Sequence, residues 1–203
     1  MGGQITTYTG VHMDPADPKP EQFRIEDIAH ALSLICRGNG QVATFWSVGE
    51  HCLCCAREAL ARGLSSRVVL ACLLHDAGEC YLSDVPRPIK RELNGYEEME
   101  NRLLGRIYEK FLGSGLLPEE EAQIKEIDDA LLWRDLVHLL REEPQGSAPE
   151  LAEEPDYTVR PFDAVEREYL ELFCRVSGTD IAEKAKDRVG AGSGEPDPLR
   201  GKA

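Results

Sequence analysis

"RVVLACLLHDAG", residues 67–78, decides how the chain is organised. From Val68 to Leu74 every residue is apolar, leaving no polar stripe at helical spacing. A helix that is apolar nearly all round belongs in the middle of a molecule, covered by other helices. The run then ends abruptly in His75-Asp76 and passes two further carboxylates, Glu79 and Asp84. It closes on "SDVPRPIK", residues 83–90, which cannot be a helix interior, because each proline removes a backbone donor and restricts its neighbour. A charged pair at the end of the most apolar segment is costly unless something meets it.

Working outward, the covering helices are legible. "IEDIAHALSLIC", 25–36, places Ile25, Ile28, Ala29, Leu32 and Ile35 on one face, and the glycines of "RGNGQ", 37–41, break it. Ser47 is an N-cap with Glu50 at the third position of a capping box. Its helix is expected to run to about Gly63, with Val48, Cys52, Cys55 and Ala59 as the buried stripe. Ser65 or Ser66 opens the central helix. Residues 94–112 and 117–140 read as charged amphipathic helices, the second with Pro118 and acidic residues in its first turn. A Pro- and Glu-rich loop, 141–159, precedes a last helix over 162–176. Alternating strand patterns and internal repeats are absent from the sequence. The expectation is an all-α, single compact helical bundle over 25–176. An extended lead-in, 1–24, precedes it, and a disordered tail, 177–203, follows.

Composition narrows the classes of function. The chain has 203 residues, 42% of them hydrophobic, enough for one real core. Against 37 acidic residues stand 23 basic ones, a formal charge of −14. Such a surface repels long nucleic acid and anionic membranes, but a single nucleotide can still be neutralised locally. No stretch approaches the roughly 20 apolar residues of a membrane span. The start, "MGGQITTYTG", lacks the pattern of a signal peptide. The seven cysteines are odd in number and sit inside helical patterns, as reduced thiols do. A cytoplasmic protein is expected.

Helix phase then places the polar residues. In the 117–140 helix the apolar face is set by Ile124, Ile127, Leu131, Leu132, Leu136 and Leu139. Asp128 falls near its centre, Asp129 at its margin, and Asp135 inside, two turns on. Buried Asp128 and Asp135 need partners, whereas Asp129 does not. His51 lies beside the apolar stripe of its own helix. Three helices therefore present imidazole or carboxylate toward one interior through His51, His75-Asp76 and Asp128. Two imidazoles and two carboxylates suit one divalent transition ion, Mn²⁺, Fe²⁺, Co²⁺ or Zn²⁺. The vicinal thiols of "CLCC", 52–55, read as small core residues, and His12, His30 and His138 as ordinary side chains.

In order, "SVGEH" (47–51), "LLHDAGECYLSDVPRPIK" (73–90) and "IKEIDDALLWRD" (124–135) resemble the HD-domain metal-dependent phosphohydrolases. The likeness is to the compact bacterial and phage branch that includes 5′-deoxynucleotidases, and it covers roughly residues 25–140. The resemblance implies His51, His75, Asp76 and Asp128 as metal ligands and Glu79 and Asp84 as carboxylates near the scissile phosphate. Glu79 is expected as the acid or base, with Asp84 orienting water or substrate. Arg37 matches a basic residue that holds substrate phosphate, and Lys90 is a second expected clamp. Where those enzymes carry an Arg-Trp pair this chain has "RGNG", so Trp46, the nearest tryptophan, takes that place in the expected substrate set. Asp135 is expected to hold a ligand or an arginine. The implied function is hydrolysis of (deoxy)nucleoside 5′-monophosphates to nucleoside and phosphate. Two alternatives are a deoxynucleoside triphosphate triphosphohydrolase and a catalytically inactive signalling or scaffold module. Compact HD enzymes often pair, which makes a homodimer the expectation for assembly.

Overall fold

The computed structural model describes residues 3–179, so most of the expected tail, 177–203, lies outside the described residues. The helices are α1 (Ile25–Leu34), α2 (Val48–Ala61), α3 (Ser66–Leu74), α4 (Glu79–Leu82), α5 (Arg87–Lys90), α6 (Tyr96–Leu112), α7 (Pro118–His138) and α8 (Phe162–Ser177). Among the described residues the fold is all-α apart from one small hairpin, β1 (Ile5–Thr6) with β2 (His12–Met13).

α3 occupies the centre. Every residue from Val68 to Leu74 is buried, and the helix packs on α2, α6, α7 and α8. Ser65 caps it by accepting a hydrogen bond from the Val68 N–H at 3.3 Å. The Tyr169 hydroxyl of α8 donates to the Leu73 carbonyl near its other end. α2 carries the expected capping box: Ser47 Oγ accepts from the Glu50 N–H, and Glu50 accepts from the Ser47 N–H. Its buried surface is wider than the expected stripe, because Gly49, Leu53, Cys54 and Ala56 are buried too. α1 buries Ile25, Ile28, Ala29 and Leu32 as expected, while Ile35 falls just past its end.

Two local expectations are corrected. The lead-in is not merely extended. Its hairpin is pinned to α1 by Asp27, which accepts from the Thr9 N–H (2.6 Å) and the Thr9 hydroxyl (2.9 Å), and Met13 is fully buried. Strands two residues long give no alternation to read. The segment after Asp84 forms a one-turn helix, α5, because Pro88 stands in its first turn, where a missing N–H costs nothing.

Between α1 and α2 the chain reverses over 37–46. Gly38 (φ 59°) and Asn39 (φ 53°) adopt left-handed backbone, the Arg37 N–H donates to the Trp46 carbonyl (2.8 Å), and the Val48 N–H donates to that of Ile35 (2.9 Å). This closed loop sets Arg37 beside the end of α3.

Candidate metal centre

α2 and α7 flank the end of α3, and their polar side chains meet there. His51 comes from α2, His75 and Asp76 from the turn after α3, and Asp128 from α7. His51 Nε2 lies 3.0 Å from Asp128 Oδ1 and 4.0 Å from Asp76 Oδ2. His75 Nε2 lies 3.3 Å from Asp76 Oδ2 and 3.6 Å from Asp128 Oδ1. All four expected ligands are thus within reach of one another. Within the pair at 128–129, Asp128 faces the two histidines, and Asp129 is exposed beside Lys125, the sides on which helix phase placed them.

Other side chains orient the two imidazoles. His75 Nδ1 hydrogen-bonds to the Cys72 carbonyl at 2.8 Å, an acceptor only, so Nδ1 carries the proton. Its Nε2 is buried without a hydrogen-bond partner and faces the carboxylates of the cluster, the ring atom that an ion there would take. His51 Nδ1 lies 3.1 Å from Asp135 Oδ2. Asp135 also accepts from the Tyr157 hydroxyl (2.8 Å) and pairs with Arg37 (3.2 Å). A carboxylate behind a histidine is the arrangement that fixes the tautomer of a metal-binding imidazole. The cluster is a buried set of His, Cys and Asp side chains able to hold a metal ion.

Electrostatics follow from burial and pairing. Burial alone works against the charged forms of His51 and His75, yet the surrounding carboxylates win and hold both well above the usual histidine range. Burial likewise opposes ionised Asp128 and Asp76, but the two histidines outweigh it and hold both carboxyls well below the usual range. Glu79 moves the other way: burial, then the Asp76 and Asp84 charges, raise it well above the usual value against Arg37 and Lys90.

The cluster opens on a cleft of about 440 Å³, lined by Arg37, Asp76, Glu79, Asp84, Lys90 and Asp128 among others. Glu79 Oε1 lies 3.5 Å from Lys90, and its Oε2 is buried without a partner. Asp84 accepts from the Gly38 N–H at 2.7 Å, tying the loop before α5 to the loop before α2. Arg37 bridges Asp76 and Asp135 at 3.2 Å each. Of the expected substrate residues, Arg37 and Lys90 line this cleft and Trp46 does not. It is 2% exposed and packs behind the site on Tyr157, with ring centroids 4.8 Å apart. The 37–46 reversal that carries Arg37 to the cleft turns Trp46 into the core.

Three contributors were missed in the sequence. Arg87, between the prolines, lines the cleft and pairs with Asp128 at 3.0 Å. Cys55 brings its Sγ to 3.6 Å from His51 Nε2. It stands one turn after His51, a spacing that places both on one face. Tyr157 lies in the Pro- and Glu-rich loop, where no periodicity marks it.

No protein-family model matches the chain. It is 40% identical over 116 residues to an uncharacterized protein of Rhodobacter capsulatus, RCAP_rcc00048, covering 54% of this chain and 59% of that protein. It is 34% identical over 128 residues to the uncharacterized Escherichia coli protein YfdR, covering 63% of this chain and 67% of YfdR. The chain belongs to the YfdR family. The matched part spans less than two thirds of the Rhodobacter relative. Among the described residues, no helix is long and apolar enough to cross a membrane.

Proposed function

We propose that the protein is a metal-dependent nucleotide phosphohydrolase of the HD type. On this reading it releases orthophosphate from (deoxy)nucleoside 5′-monophosphates. The observation that carries the reading is the convergence of His51, His75, Asp76 and Asp128, from three separate elements, beside a cleft sized for a small ligand whose lining includes Asp76 and Asp128. The unpartnered His75 Nε2 and the Asp135-backed His51 fit the donor set of one transition ion. When bound, such an ion polarises a phosphoryl oxygen and makes water a competent nucleophile near neutral pH.

The chain's own groups do the rest. Glu79, with an unpartnered oxygen in the cleft, holds or accepts the proton that hydrolysis moves. Asp84 is held by the Gly38 N–H at the cleft wall and orients water or substrate. Arg37, Arg87 and Lys90 are the basic residues of the lining and neutralise the phosphate. Val42, Leu132, Leu136 and Leu139 give the cleft an apolar side against which a base or sugar rests.

Charge favours the monophosphate over a triphosphate. Three cations face six carboxylates in the lining (Asp76, Glu79, Asp84, Asp128, Asp135 and Glu142), so even with a divalent ion the lining has no positive surplus, and three phosphates would be repelled more than one. The test is a screen of EDTA-stripped protein against divalent metals and nucleotides, reading orthophosphate and tripolyphosphate separately. Metal-dependent orthophosphate from a monophosphate, lost in Asp76→Ala, is the expected result. Tripolyphosphate from a deoxynucleoside triphosphate would replace this reading with the alternative enzyme. Failure of the purified protein to retain any transition metal would favour an inactive module.

A further inference from the structure

The HD-type ligand set does not use a thiol, yet Cys55 stands among His51, His75 and Asp128, and Cys52 lies within reach of His75 and Asp76. We propose that Cys55 is a direct metal ligand, so that the centre offers sulfur beside two imidazoles and carboxylate and prefers a borderline, thiophilic ion such as Zn²⁺ or Co²⁺. The proposal rests on the metal-centre reading above and specifies which ion that centre takes.

Geometry carries it. The ligand atoms of His51, Cys55, His75 and Asp128 all lie within 4.8 Å of one another. Two donors held about 2.0–2.3 Å from a tetrahedral ion are themselves roughly 3.3–3.6 Å apart. His51 Nε2 is 3.6 Å from Cys55 Sγ, and His75 Nε2 is 3.6 Å from Asp128 Oδ1, both at that spacing. His51 Nε2 to Asp128 Oδ1 is tighter, at 3.0 Å. His75 Nε2, buried and without a hydrogen-bond partner, belongs to the same set. Cys55 is 1% exposed, so its sulfur faces these donors rather than solvent.

The chemistry balances without a redox partner. The Cys55 S–H bond breaks, its proton leaves to solvent, and the sulfur's electron pair forms the metal–sulfur bond with no change of oxidation state. A soft donor then raises affinity for zinc and cobalt above that for manganese or magnesium, which oxygen donors serve better.

Cobalt(II) titration of the full-length, EDTA-stripped protein under reducing, anaerobic conditions tests it. The expected spectrum has visible ligand-field bands that saturate at one ion per chain, together with a near-ultraviolet thiolate-to-cobalt charge-transfer band. Cys55→Ser should lose the charge-transfer band and keep the ligand-field bands, while Cys52→Ala keeps both. Ligand-field bands without charge transfer in the unaltered protein, or a band that survives in Cys55→Ser, overturn the thiolate ligand and leave the metal centre standing. If no cobalt binds, the metal-centre reading falls and the thiolate with it. X-ray absorption at zinc in the unaltered protein decides the matter should Cys55→Ser not fold. One sulfur scatterer at about 2.3 Å supports the proposal, and a shell of nitrogen and oxygen alone overturns it.

Discussion

Asp135 shows how much of the candidate site depends on residues that never face a ligand. Its two oxygens serve His51, Arg37 and Tyr157, and the contact with His51 Nδ1 leaves Nε2 directed at the cluster. Asp135→Asn should therefore lower metal affinity by about 10–100-fold, the usual effect of removing a carboxylate that orients a histidine ligand. A competition titration against a chromophoric chelator reads that change; unchanged affinity would mean that His51 is oriented without Asp135. Tyr157→Phe keeps the carboxylate and should show a smaller loss. Asp129→Ala is the contrast, because Asp129 is exposed and paired only at the surface. Its stability should change by less than about 0.5 kcal/mol and its metal binding not at all. The difference between Asp128 and Asp129 was legible because one residue is about 100° of helix, enough to separate a half-buried side chain from an exposed one. Burial of Asp135 was legible for the same reason. Its partner was not, since Tyr157 reaches it from an aperiodic loop.

Helices hold these residues at fixed distances, and two contacts set how α2 sits. A Cβ at Gly49 would meet the backbone of Leu32 and Ser33 at 3.2 Å, so α1 and α2 approach closely where the His51 helix begins. Alanine gains about 1 kcal/mol of helix propensity over glycine. Overpacking against rigid backbone costs about 1–3 kcal/mol. The cost should win, and Gly49→Ala should lower the urea midpoint; a raised midpoint would show that the helices can separate freely. On the outer side, buried Glu58 accepts from the N–H groups of Ala152 (3.0 Å) and Glu153 (2.8 Å) and pairs with Arg62, fastening the 141–159 loop to α2. Burial opposes its charge, but these bonds prevail and hold its carboxyl below the ordinary value of 4.5. A depressed carboxyl contributes stability that is fully present above that ordinary value and is lost as pH falls through the lowered one. Glu58→Gln should cost about 1–3 kcal/mol at pH 7, with the gap to the unaltered protein closing in acid. Parallel melting curves across pH measure this, and a gap that persists at low pH would contradict the assignment. No pattern in the sequence joins Glu58 to a loop ninety-odd residues away, whereas the capping box that starts the same helix is complete within four residues.

At the scale of the whole molecule, periodicity made the fold class legible: α3 is apolar all round and central, and the amphipathic helices cover it. What escaped has no period, namely the two-residue strands, the proline-started α5 and the long loop behind Asp135. The metal-centre reading has a global consequence, because its four ligands come from positions far apart in the chain. An ion held by His51, His75, Asp76 and Asp128 would join α2, the end of α3 and α7, a geometry that does not exist in the unfolded chain. A ligand that binds only the folded state stabilises it by about 2.7 kcal/mol at a hundred times its dissociation constant. For a domain of this size each kcal/mol moves the melting temperature by roughly 2–4 °C. Adding Mn²⁺ or Zn²⁺ to the EDTA-stripped protein at that excess should therefore raise Tm by roughly 5–11 °C. Magnesium, with its preference for oxygen and water, should do less at the same concentration. Asp76→Ala should fold yet lose most of the shift, which separates binding at this centre from non-specific cation binding to a chain of charge −14. Scanning calorimetry of both proteins with and without metal makes the comparison, and an equal shift in the two would place the ion elsewhere.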